Sequence, residues 1–247
     1  MKRAIVLNSM VLFIVALAGC GKTTPPTPTI LTLHQAALFY PDQIPALLKT
    51  GIKVDRLDAD GATALWQAVR SSKRKSVRLL LAAGADPEIR DRQQSWTPLQ
   101  CSAFCNHGSD GIEIAKLLLQ HGANPNAVEP KYNETALHYA VISTQSPLLV
   151  QLLLDAGADI DALSSNGSTP LQSTVSQGNT EIADLLLASG ADPELRNKFG
   201  FRPIDQLNSC SNPTDIQVVF RKYDADDIRR PQLIKANVVE ETGKDFL

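Results

Sequence analysis

The sequence predicts an all-α solenoid of repeated helix–turn–helix units, and three observations predict it. Gly-Ala-Asp or Gly-Ala-Asn recurs at Gly84, Gly122, Gly157 and Gly190 after a degenerate Gly51, in steps of 33, 38, 35 and 33 residues. A second landmark, Thr63, Thr97, Thr135 and Thr169, advances in steps of 34, 38 and 34, and each Thr is followed by Ala or Pro and then Leu. Two independent landmarks with one period mark a repeated structural unit. The third observation is composition: 43% apolar and 20% charged residues suit a packed core, while only 5% aromatics favour close helix packing over a β-sandwich.

The first twenty residues, MKRAIVLNSMVLFIVALAGC, stand apart, with a basic start, an apolar run and small residues before Cys20. This order is that of an export signal over residues 1–19. As a membrane span the run is short of the ~20 apolar residues a bilayer core requires, and Asn8 and Ser9 interrupt it. Leu17-Ala18-Gly19-Cys20 resembles the bacterial lipobox. The resemblance implies cleavage before Cys20, which then carries a diacylglycerol and an amide-linked acyl chain such as palmitate. Several acyl chains anchor durably, because each buried CH₂ contributes ~0.8 kcal/mol. Gly21, where an Asp would favour retention in the inner membrane, points to the outer membrane with the chain facing the periplasm. Residues 20–31, including GKTTPPTPTI, are rich in Pro and Thr and read as an extended tether.

The repeat domain follows over residues 32–223. TALWQAV (63–69), TPLQCSA (97–103), TALHYAV (135–141) and TPLQSTV (169–175) each open a unit, and LLLAAGAD, LLLQHGAN, LLLDAGAD and LLLASGAD close it. These sequences resemble ankyrin repeats, whose units open with Thr-Pro-Leu-His. An N-terminal unit (TLHQAALF, IPALLKTG) and a C-terminal unit (GFRPIDQL, IQVVFRKY) are degenerate, as solenoid caps are. Thr at a helix start caps free N–H groups, and Pro98 and Pro170 stand where a missing N–H costs nothing. The Leu triplets supply the apolar face, and each Gly closes its helix in a left-handed conformation. The Asp or Asn that follows bonds its own loop backbone. His34 and His138 fall at the family's His position, where the imidazole bonds the adjoining repeat, and His121 suits a helix C-terminus.

Thr97 to Gly122 spans 25 residues against 21 in two other units, and the excess falls in CNHGSDG (105–111), while ISTQSP (142–147) gains one residue. Surface turns tolerate such changes at little cost. The tail, residues 224–247, has mixed charge and scattered apolar residues and reads either as disordered or as a cover for the last repeat.

A net charge of −2 excludes the global basic field that nucleic-acid binding needs. No Ser/His/Asp or Cys/His set stands outside the repeat pattern, and Asp86, Asp159 and Asp192 lie a repeat apart, too far for acid–base pairing. GATALW and GSTPLQ lack the second Gly and the Lys of a phosphate loop. The expectation is therefore no enzyme, no cofactor and no metal. Cys101 and Cys105, at i and i+4, are either a strained disulfide or two thiols, and Cys210 stands too far away to join them.

The ankyrin resemblance implies that a partner protein binds in a concave groove lined by residues one before the Thr and four, seven and eight after it. Trp96, Phe104, Glu134, Tyr139 and Ile142 fall at those positions, with Tyr132, Phe199 and Phe201 on neighbouring loop tips. Exposed aromatics anchor interfaces, although Trp96 and Tyr132 have the alternative of packing on adjacent loops. The resulting expectation is a lipid-anchored periplasmic binding module, monomeric when free, one version being an immunity or inhibitor protein against a toxic effector. The alternatives are a redox or metal-handling protein using Cys101, Cys105 and His107, which lack an evident fourth ligand, and a passive envelope scaffold.

Overall fold

The computed structural model describes residues 31–105, 108–144, 146–209 and 212–223. The lipobox with Cys20, the tether to Ile30, His107, Cys210 and the tail lie outside the described residues. Within them every regular element is helical. The inner row consists of α1 (Leu33–Phe39), α3 (Ala64–Arg70), α5 (Pro98–Phe104), α7 (Ala136–Tyr139), α9 (Pro170–Gln177) and a 3₁₀ helix, Pro203–Ser209. The outer row is α2 (Ile44–Lys49), α4 (Arg74–Ala82), α6 (Ser109–Gln120), α8 (Pro147–Asp155), α10 (Thr180–Ala188) and α11 (Pro213–Tyr223). Each helix packs on its partner and on the corresponding helix of the next unit. No described helix is long and apolar enough to cross a membrane.

Local chemistry sets each helix end. Thr32, Thr63, Thr97, Thr135 and Thr169 all have extended backbone and accept the amide three residues on, at 3.0–3.5 Å. Gln35, Gln100, His138 and Gln172 return the bond to the capping residue's own N–H, completing capping boxes. The last unit inverts this pattern: Arg202 replaces the Thr, and the Asp205 carboxylate accepts its N–H at 2.9 Å. Gly51, Gly84, Gly122, Gly157 and Gly190 have φ between 83° and 96°. A side chain there would be strained.

The core runs the whole length of the stack. The central leucines of the triplets, Leu80, Leu118, Leu153 and Leu186, are completely buried, which contributes about 1.5–3 kcal/mol each. No unit could bury its own stripe alone, so this energy exists only because neighbours stack.

Cross-repeat bonds fix the stacking register. Asp86 N–H donates to Asp55, Asn124 N–H to Glu88, Asp159 N–H to Asn126, and Asp192 N–H to Asp161, at 2.7–3.1 Å. Asp86, Asn124, Asp159 and Asp192 also accept the amide two residues on, at 2.8–3.1 Å. One loop is thereby tied both to itself and to its neighbour.

Both insertions are absorbed by helices. α6 has 12 residues where α4, α8 and α10 have 9, so most of the excess assigned to the turn at 105–111 extends the start of α6. The extra residue at 142–147 becomes a π turn, Ala140–Thr144, that continues α7. A single inserted residue is commonly accommodated this way, since one wider turn preserves the register on either side.

Candidate functional site

Each loop between units ends in a tight hairpin whose anchor the sequence reading missed. Asp58, Asp91, Glu129, Ser164 and Asn197 stand seven residues after the successive glycines Gly51, Gly84, Gly122, Gly157 and Gly190. In every case the side-chain oxygen accepts amides of the hairpin tip. Asp91 takes those of Gln93, Gln94 and Trp96 at 2.9 Å, and Glu129 those of Lys131, Tyr132 and Glu134 at 2.5–3.4 Å. Both carboxylates are almost fully buried, and the ring of N–H donors offsets the cost of taking their charge from water. The identical spacing of anchors and glycines was the available signal, hidden because the anchor varies among Asp, Glu, Ser and Asn.

The hairpins present the loop-tip residues, and the inner helices present the rest of the groove. Trp96, Phe104 and Tyr139 come together: centroids are 4.8 Å apart for Trp96–Phe104, 4.9 Å for Trp96–Tyr139 and 5.9 Å for Phe104–Tyr139. The expectation of three exposed anchors is corrected here. Tyr139 is 5% exposed and Trp96 is partly buried against the core, whereas Phe104 remains 45% exposed. The Tyr139 hydroxyl lies beside the Trp96 indole and the Glu134 carboxyl. Burial pushes the Tyr139 phenol up, and burial likewise raises the Glu134 carboxyl. Tyr132 stays apart from this triad, 48% exposed, with the Lys131 ammonium 4.6 Å from its ring centroid.

Toward the C-terminus the groove opens into a cleft of about 630 Å³. Glu134 and Ile142 form its wall on the triad side, Phe199 and Phe201 its outer rim, and Ser168, Ser173, Ser176 and Gln177 its floor. Ile142 reaches it from the π turn. Phe199 is 70% and Phe201 50% exposed, so nothing in the described chain covers these rings. Asp205, beside the cleft, is bound by Arg202, whose guanidinium holds its carboxyl down to about 2. The cleft therefore offers uncharged Ser and Gln hydrogen-bonding groups beside the apolar Phe199 and Phe201 rim, with the Glu134 and Asp205 carboxyls at its margins. At the opposite end, Phe39 and Tyr40 are exposed at 68% and 41%. They stand seven and eight residues after Thr32, so the positional rule reaches them once the degenerate first unit is counted.

A second row of contacts ties the groove wall to the next unit. Gln100 Nε2 donates to Ala127 O and Glu134 O, both at 2.9 Å, and Gln172 Nε2 donates to Leu195 O at 3.3 Å and Phe201 O at 2.7 Å. His138 Nε2 donates to Ser168 O at 3.1 Å. His34 stands one residue earlier relative to its Thr than His138 does, yet its Nε2 reaches the equivalent carbonyl, Ala62 O, at 3.0 Å. Trp66 occupies the linking position in its unit and makes no such bond. Its Nε1 is the one buried side-chain nitrogen or oxygen without a partner among the described residues.

Cys101 and Cys105 are free thiols, with Cys101 buried and Cys105 half-buried, so the disulfide alternative is not the state observed. Among the described residues no three His, Cys, Asp or Glu side chains gather as a metal site. His121 Nδ1 lies 2.9 Å from Leu117 O at the end of α6, as its position at a helix C-terminus suggests.

A family model described as ankyrin repeats matches residues 33–129 and 109–197. The chain belongs to the ankyrin-repeat family. The p105 subunit of nuclear factor NF-kappa-B from Gallus gallus is 34% identical over 175 residues, 70% of this chain and 17% of that protein. NF-kappa-B inhibitor delta from Mus musculus is 30% identical over 202 residues, 77% of this chain and 56% of that protein. Among solved structures, the ankyrin repeat domain of Bcl-3, an IkappaB-family member, superposes with a TM-score of 0.67 at 29% identity, covering 76% of this chain and 81% of that one. The chain thus spans less than a fifth of the p105 subunit and little more than half of the inhibitor delta sequence. Ankyrin-repeat domains are protein–protein interaction modules, typically without catalytic activity, and this one has the helical solenoid of that fold.

Proposed function

We propose that this ankyrin-repeat chain is a lipid-anchored protein, held by an acylated Cys20 to the outer membrane and facing the periplasm, where it binds a partner protein. It is monomeric when free and acts by occupancy, not by catalysis. The observation that carries the reading is the open end of the groove: Phe199 and Phe201 stand exposed beside a cleft lined by Ser and Gln side chains. Exposed aromatics flanking hydrogen-bonding groups are what a protein interface uses as anchors. An immunity or inhibitor role against a toxic effector suits a tethered module of this kind. One relative, NF-kappa-B inhibitor delta, is named as an inhibitor, which supports the inhibitor reading.

Two experiments test the two halves of this proposal. Metabolic labelling with a clickable palmitate analogue should mark the wild-type chain and not Cys20→Ala, and absence of label on both overturns the anchor. Crosslinking in intact cells followed by mass spectrometry should recover a partner with wild type and lose it with Phe199→Ala/Phe201→Ala, and equal recovery with both overturns the site.

A further inference from the structure

Charge is distributed unevenly along the stack. Residues 32–83, the first two units, carry eight Lys and Arg against four Asp, a net +4, whereas residues 84–223 carry nine Lys and Arg against sixteen Asp and Glu, a net −7. Five of the eight cations, Arg70, Lys73, Arg74, Lys75 and Arg78, fall around the turn between α3 and α4, and all five are exposed. That turn lies at the end of its unit away from the hairpin, because α3 starts beside the hairpin and runs 7 residues from it. The equivalent turn of the first unit begins with Phe39 and Tyr40, both exposed, their ring centroids 6.3 Å apart. Two bonds set the turns side by side: Lys75 Nζ donates to Asp42 and Ser76 Oγ to Ala37 O, each at 2.5 Å.

The cations outnumber the carboxylates near them. Asp42 faces Lys75, and Asp110 lies 3.6 Å from Arg74, exposed pairs of the kind that solvent and salt weaken. Lys73 and Arg78 make no ion pair among the described residues. The corresponding turns of the later units, at 105–109, 142–146, 178–179 and 210–212, contain no Lys or Arg. The basic and aromatic face therefore belongs to the first two units alone.

We propose that this face docks on an anionic phospholipid surface, with the cations against the headgroup phosphates and Phe39 and Tyr40 seated at the headgroup level. A compact set of Lys and Arg is drawn to the negative potential of such a surface, and rings placed beside it add apolar contact at the interface. The nearness of a bilayer rests on the proposed Cys20 anchor. Eleven residues, 21–31, separate Cys20 from Thr32, the cap of α1, and at 3.3–3.6 Å each they reach at most ~40 Å. α1 then spans only about 10 Å to Phe39. The tether thus holds the face within reach of the leaflet that carries the acyl chains, which raises the effective concentration of headgroups around it. Docking through the first two units leaves the cleft, four stacked units further on, off the bilayer and open to its partner.

The test places an indole in the face and reads its surroundings. Phe39→Trp changes an exposed ring, while Trp66, buried, and Trp96, partly buried, give the background measured on the chain without it. Tyr40→Trp gives a second reading should Phe39→Trp perturb α1. Both are made in full-length Cys20→Ala, so that acylation plays no part. With vesicles containing phosphatidylglycerol the added emission should shift to the blue and be quenched by lipids brominated on their acyl chains. The quenching should be lost with phosphatidylcholine alone, with Lys73→Glu/Arg78→Glu, and in about 1 M salt, where the Debye length is ~3 Å. Because the apolar run before Cys20 suits insertion into either vesicle, the readout is the indole and not binding as such. An indole left unquenched in anionic vesicles, or quenched alike with and without anionic lipid, overturns the proposal. An equal shift with soluble polyglutamate in place of vesicles would make the face a site for an acidic protein and overturn the lipid assignment. Quenching in a chain whose Cys20 takes no palmitate label leaves the docking face standing while the anchor fails, and label without quenching does the reverse.

Discussion

At the centre of the groove Trp96, Phe104 and Tyr139 stack on one another within 6 Å, whereas at its C-terminal end Phe199 and Phe201 stand in solvent beside a polar cleft. Both regions are built from the same hairpin and inner-helix positions. In the first, large rings at successive units meet across the repeat spacing and satisfy each other, so their area supports the fold. In the second, the inner helix carries Ser173, Ser176 and Gln177 opposite the rings, which leaves those rings nothing to pack on. Repeat position decides where a side chain points; the neighbour at the equivalent position decides whether it stabilises or waits for a partner.

The largest way to break this contrast is Tyr139→Ala. Removing a buried aromatic that packs on Trp96 and Phe104 should cost about 3–5 kcal/mol, read as a lower midpoint in urea unfolding; a change under about 1 kcal/mol would mean that the triad is not part of the core. Next is Gln172→Leu. It removes the two bonds to Leu195 O and Phe201 O and the bond that the buried Thr169 N–H makes to its Oε1, and although Phe201 O keeps the Asn197 N–H, the loss should cost about 1–3 kcal/mol. Hydrogen exchange should quicken in the 197–201 hairpin before it does elsewhere.

His138 sharpens the same point through pH. Its Nδ1 accepts from Thr135 N–H while its Nε2–H donates to Ser168 O, a pattern that only the neutral ring can make. Burial lowers its pKa, outweighing the Ser168 carbonyl and Asp159, which favour the charged form. A pKa depressed on folding means that the unfolded chain binds more protons, so this group's stabilisation is present above about pH 6.5 and is lost as pH falls toward the folded value. His138→Gln, which copies Gln100 and Gln172, should keep the link and flatten that part of the pH–stability profile. An unchanged profile would assign the acid sensitivity to another group.

How much of this was legible in the sequence follows from what repeats and what does not. The Thr caps, the closing glycines and the Leu triplets recur with one spacing, and one spacing is enough to place helices, turns and core. The groove residues are by nature the ones that differ between units, so the positional rule located Phe104 and Ile142 without revealing what each would touch. Tyr139 closes onto Trp96 because their units are neighbours, a pairing across about 40 residues that no single repeat encodes. The anchors Asp91 and Glu129 escaped notice because oxygen, not residue identity, is what the hairpin requires. The bond missing at Trp66 was equally invisible, since a ring fills the place of a donor.

The smallest expected effect on stability belongs to the residues with the largest expected effect on binding. Phe199→Ala and Phe201→Ala remove rings that are mostly in water already, while the Phe201 carbonyl that accepts from Gln172 and the amides that bond Asn197 remain. Each should shift folding stability by no more than about 0.5 kcal/mol. Against the partner recovered by crosslinking, truncating an interface anchor should cost about 2 kcal/mol or more, roughly a thirtyfold loss of affinity. Tyr139→Ala should show the opposite ratio, with folding losing more than binding in any molecule that still folds. If the Phe199 variant destabilised the chain as Tyr139→Ala does, the rim would be part of the core after all, and the division between a closed centre and an open end would fail.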